Sequence, residues 1–177
     1  VRSPQIEAYN NLIENIRLQI DNKNPIYNTL LSVDKINSKY YNIADVNLVN
    51  VTLNDTLFFR TDFVGGEDLK EKFDLSFYHT INENNKSVVG MKRSDIIFKE
   101  NNWAVNPNNN NQNKIVFDKA LNTFAFDKFT ISHEDQVIDM AGIISGKNNK
   151  DLTLNLKNVD LNGITPYIDG FEMEGLV

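Results

Sequence analysis

The chain has no cysteine, two histidines, one tryptophan and four prolines among 177 residues, and each shortage removes a class of chemistry. Without thiols there is neither a disulfide framework nor a thiolate metal site. Eighteen Lys and Arg stand against 24 Asp and Glu, a net charge of -6 with a pI near 4.9, and the basic residues are scattered, Lys92-Arg93 being an adjacent pair near the middle. A nucleic-acid interface needs a basic face, so no nucleic-acid partner is expected. No apolar run approaches the ~18 residues a membrane-spanning helix needs. Val1-Arg2-Ser3-Pro4 shows no initiator Met and no targeting segment, which suggests an internal piece of a longer chain.

What the chain does have is asparagine, 28 in all, gathered around Asn82–Asn85, Asn101-Asn102, Asn108–Asn113 and Asn148-Asn149. Asn tolerates left-handed backbone and mimics turns with its amide, so these clusters punctuate other structure. Between them apolar residues recur at every second position: Leu57, Phe59, Phe63; Phe73, Leu75, Phe77; Phe124, Phe126; Ile138, Met140, Ile144; Leu152, Leu154, Leu156. Period two is that of a strand with one apolar and one wet face. Short strands with frequent turn signals indicate an all-β chain of about ten to twelve strands, with little helix and a single domain spanning 1–177.

Two stretches resist this pattern. Ile6, Tyr9, Ile13, Ile16 and Ile20 fit helical spacing, whereas Leu12, Ile16, Leu18 and Ile20 fit a strand; a strand over about Leu12–Ile20 with an irregular or helical entry is expected. The tract 108–113 has no apolar side chain to offset its ordering entropy, so a flexible loop is expected there.

Catalytic and metal signals are weak. His79 falls in phase with Phe73, Leu75 and Phe77, and no partner for general-base chemistry stands out for it or for His133. His133-Glu134-Asp135 and Asp21–Asn24 offer oxygen ligands but lack EF-hand spacing and read more simply as solvated turns. Gly65-Gly66 opens no phosphate-binding motif and reads as a turn permitting positive φ. Trp103 reads as a packing anchor at a strand end. The sequons at Asn50, Asn54 and Asn85 are expected by chance in so Asn-rich a chain. No enzyme activity, cofactor or metal is expected.

The run Asp151–Ile168, DLTLNLKNVDLNGITPYI, resembles the membrane-proximal repeats of the TamB family, AsmA-like translocation and assembly subunits. The resemblance extends through Asn50–Gly66, Lys86–Gly90, Ile97–Lys99, Trp103–Pro107 and Lys114–Asp118, in the style of the Bacteroidetes members. It implies a U-shaped, taco-like β-groove within a periplasm-spanning bridge that carries phospholipid towards the outer membrane and supports outer-membrane biogenesis. It implies further a periplasmic location, an inner-membrane anchor and contacts with a BamA/TamA-type barrel, these last through regions outside this chain.

The residues themselves point towards a groove as well. A strand-rich chain without clear amphipathic helices must curl its sheet until the apolar face closes, or leave a trough suited to acyl chains. Twelve strands at ~4.8 Å would give roughly 55 Å of conduit. The lining expected is Leu57, Phe59, Phe63, Phe73, Leu75, Phe77, Phe124, Phe126, Ile138, Met140, Leu152, Leu154 and Leu156. A slip of one residue would exchange the faces. Unpaired edge strands invite self-association. The alternative is a structural or adhesive β-sandwich or solenoid, whose apolar faces serve only its own core.

Overall fold

Several hairpins among the described residues are closed by residues that accept left-handed backbone. Fifteen non-glycine residues have positive φ among those described, and seven of them are asparagine. In the computed structural model, residues 1–21, 28–39, 41–165 and 174–177 are described. Tyr9 and Asn10, with φ of 51° and 63°, close the first hairpin as a two-residue turn, and Asn54-Asp55 and Lys99-Glu100 close two more in the same way. Positive φ at both central residues matches the right-handed twist of the flanking strands.

Strands β1 (Arg2–Ala8), β2 (Asn11–Asp21), β3 (Asn28–Asn37), β4 (Ile43–Leu53), β5 (Thr56–Gly65) and β6 (Glu71–Ile81) pair in order as an antiparallel meander. Four short strands follow, β7 (Ser87–Met91), β8 (Ser94–Phe98), β9 (Asn101–Val105) and β10 (Lys114–Phe117). The long strands β11 (Thr123–His133), β12 (Gln136–Ser145) and β13 (Asn149–Lys157) complete the sheet before one turn of helix, α1 (Leu161–Ile164). The chain is all-β, 69% strand and 2% helix, in one antiparallel sheet of 13 strands. The irregular entry expected before Leu12 is instead β1, an ordinary strand interrupted in register at Pro4 opposite Asn15.

The middle of the sheet is split. Phe77–Ile81 of β6 pairs with β7, while Lys72–Asp74 of the same strand pairs with β8. On the far side Phe124–Phe126 of β11 pairs with β10, and Ile131-Ser132 with β9. Two short strand pairs therefore lie end to end between two long strands, and the seam between them is polar. Asn106 Nδ2 donates to the carbonyls of Met91 (2.8 Å) and Asn110 (2.9 Å), and Asn113 Oδ1 accepts from Thr130 N at 2.8 Å. Ser94 Oγ accepts from Ser76 N at 2.9 Å. Asn106, Asn113 and Ser94 are among the most deeply buried side chains described. A buried amide is tolerated only when its hydrogen bonds are made, so this network fixes the seam. The tract 108–113 departs from a free loop at Asn110 and Asn113, which join this network, while Asn108, Asn109 and Asn111 stay at the surface.

The sheet is open. Its strand order runs from β1 to β13 without β1 meeting β13. Only six apolar side chains are buried among the described residues: Val33, Ala44, Val88, Trp103, Val105 and Val159. The accessible surface is 11941 Å² for 20.3 kDa, whereas a compact monomer of that mass would show roughly 8,800 Å². A sandwich closed over its own core would instead bury the inward residue of every strand pair.

Candidate functional site: one apolar face

Directly paired residues of an antiparallel ladder project to the same side, so the register carries one face across the sheet. Leu57 lies opposite His79, Phe59 opposite Phe77, and Phe63 opposite Phe73. From β6 the face passes to Val89 and Met91 of β7, then to Ile115 and Phe117 of β10. Ile115 faces Phe126 and Phe117 faces Phe124. Phe124 faces Ile144, and beyond a one-residue bulge after Phe126 the ladder resumes in phase with Phe129 opposite Met140 and Ile131 opposite Ile138. Ile138, Met140 and Gly142 then face Leu156, Leu154 and Leu152.

All thirteen residues named from the sequence thus project to one side. The sequence reading missed part of that side, in β2–β4 and in the short central strands. Leu18, Leu31 and Leu48 continue the face towards β2, and Trp103 and Val105 join it through Ile96, Ser94 and Ile131. The central strands are too short for alternation to declare itself. Trp103 is nevertheless the packing anchor of the seam, its ring 5.3 Å from that of His133, whose Nδ1 lies 2.8 Å from the Asn102 carbonyl oxygen.

No charged residue occupies the face positions from Leu57 to Phe63, from Phe73 to Ile81, from Ile138 to Ile144 or from Leu152 to Leu156. Three ring pairs stack along it, Phe59–Phe77 at 4.9 Å, Phe63–Phe73 at 4.5 Å and Phe117–Phe124 at 5.6 Å between centroids. Stacking of cross-strand neighbours covers ring faces laterally but leaves the outer edges free, and all six rings stay half-buried. Leu152 and Leu154 on β13 are 42% and 60% exposed.

The opposite face is mixed: it exposes Leu30, Val49, Val51, Phe58 and Ile143 but also carries charged and polar pairs. Arg60 makes a two-point contact with Asp74, 2.8 Å at the closer pair, and their hydrogen bond holds the guanidinium above its ordinary pKa. Asn47 donates to Asp62 at 3.0 Å, and Lys128 reaches Asp139 at 3.4 Å. Adjacent residues divide between the faces: Phe58, 38% exposed, sits on the mixed side beside Tyr78, while Phe59 sits on the apolar side.

Other sequence signals take structural places. Gly66 has φ of 94° at the turn leaving β5. Near it Glu71 is buried and receives a hydrogen bond from the Tyr41 hydroxyl. Glu134 takes positive φ in the β11–β12 turn, and no group of three or more His, Asp or Glu is placed to hold a metal ion among the described residues. Asn22, Lys23 and Asn24 lie outside the described residues. No helix among those described is long and apolar enough to cross a membrane.

Fold and site together define a class: an open antiparallel sheet with a largely apolar face running from β5 to β13. The chain matches no family model, no curated protein and no solved structure.

Proposed function

We propose that the apolar face binds phospholipid acyl chains and leaves their headgroups in water, making this chain a segment of a U-shaped β-groove along which lipid passes between membranes. The observation that carries the reading is the half-exposed, largely apolar face running from Leu57 on β5 to Leu156 on β13. Each CH₂ moved from water to such a surface gains about 0.8 kcal/mol. A lining that is non-directional and alike from strand to strand holds a chain without fixing its position, so binding and sliding are compatible.

The resemblance of Asp151–Ile168 to TamB-family repeats supports the same reading and extends it to a periplasmic bridge anchored at the inner membrane. Its contacts with an outer-membrane barrel would be made by regions outside this chain. No catalytic residue is needed, because transfer along such a face breaks no bond.

The test is a Leu154→Arg or Phe126→Arg substitution, which sets a charge in the acyl path. Each variant should keep the circular-dichroism spectrum of the sheet and lose co-purifying lipid. Unchanged lipid content in folded variants of both would overturn the assignment of this face.

A further inference from the structure

We propose that β13 pairs with β13 of a second copy of this chain, forming a two-fold antiparallel dimer centred on Leu154 that joins the two sheets edge to edge. This inference does not depend on lipid binding. Among the described residues β13 has one partner strand, β12, along all nine positions, so its outer edge presents unpaired backbone donors and acceptors. Such an edge is a template for another strand.

The sequence of the strand selects the partner. With Leu154 on the two-fold axis, Leu154 meets Leu154 and Leu152 meets Leu156 twice, while on the other side Thr153 meets Asn155 and Asp151 meets Lys157, again twice. Among the described residues Asp151 and Lys157 make no ion pair. Moving the axis by one residue to Thr153 sets Lys150 against Leu156, and moving it to Asn155 sets Leu152 against Asn158; both lose the charge match. Charges that deter an arbitrary strand are here self-complementary. Because the axis stands perpendicular to the sheet, both apolar faces lie on the same side and the 42% and 60% exposed Leu152 and Leu154 gain neighbours.

The opposite edge is guarded. β1 carries Pro4, which has no N–H to donate, and its ladder to β2 breaks there. Pairing of β1 to β13 would propagate without closing, whereas pairing of β13 to itself closes at two copies.

A chain without cysteine is suited to the test. Sedimentation of the purified chain should resolve monomer and dimer only, and oxidised Leu154→Cys should form an inter-chain disulfide, since directly opposed Cα atoms fall within the ~4.4–6.8 Å that a disulfide bridges. Asn155→Cys, offset from its own copy by two residues, should not. Asp151→Lys and Lys157→Asp should each raise the dimer dissociation constant about tenfold by opposing like charges twice, and the double exchange should restore it. A monomer at all concentrations, oligomers growing beyond two, a dimer indifferent to both charge reversals, or equal cross-linking at positions 154 and 155 would each overturn the proposal.

Discussion

Phe59 stacks on Phe77 across the β5–β6 ladder with centroids 4.9 Å apart and planes 13° from parallel, yet neither ring is buried. The contact is lateral, between neighbours on one face. Stabilisation in this molecule therefore comes chiefly from strand-to-strand pairing within one sheet.

A Phe59→Ala substitution consequently costs less than it would in a closed core, where removing a phenylalanine takes about 3–5 kcal/mol. The expected loss is about 1–2 kcal/mol, and a double-mutant cycle with Phe77→Ala should return a coupling of about 0.5–1.5 kcal/mol. Denaturant unfolding measures both. A loss within the core range would mean that another layer covers this face.

Asn113 is the more sensitive position although it is polar. Asn113→Ala strands the Thr130 amide, and leaving a buried donor unpaired costs about 1–3 kcal/mol. Asn113→Asp retains the acceptor oxygen and should lose less. If both variants unfold with the parent, the seam does not rest on this side chain.

Gly142 pairs with Leu152 at φ of 133°, and a Cβ there would lie 2.1 Å from the Asp151 carbonyl oxygen. The obstruction is backbone and cannot swing aside. Gly142→Ala should destabilise by at least about 2 kcal/mol and loosen β13 from β12. Amide exchange along Asp151–Leu156 reports it; protection equal to the parent's would contradict this reading.

Much of the apolar face was legible because strands of nine to eleven residues repeat their alternation enough to be seen, as Leu152, Leu154 and Leu156 do on β13. The split at the centre was not. Four or five residues of β7 to β10 give too few repeats, and the side chains that hold the seam, Asn106 and Asn113, belong to a type that elsewhere in this chain marks turns. At the amino end Ile6, Tyr9 and Ile13 mimic helical spacing, but Tyr9 is the 99% exposed tip of a hairpin. The residue that turns the chain there is Asn10, whose preference for positive φ is invisible to a count of apolar periods.

The Asp118 carboxylate lies below its ordinary pKa, chiefly because the Asn122 amide donates to it at 3.0 Å. A depressed carboxylate contributes stability that is complete above its unfolded pKa and lost as pH falls through the folded one. The Asp118–Asn122 turn should therefore loosen on acidification below the ordinary carboxylate range. The Asn122 amide resonance should titrate with Asp118 and stop doing so in Asp118→Asn; an unchanged titration in that variant would assign the effect elsewhere.

The most direct test of the apolar face is native mass spectrometry of the purified chain, with solvent extraction and lipid analysis of what accompanies it. Bound phospholipid in the parent chain that is absent from folded Leu154→Arg is the expected result. A parent chain that carries no lipid and takes up none from added phospholipid would contradict the proposal that this face is built to hold acyl chains.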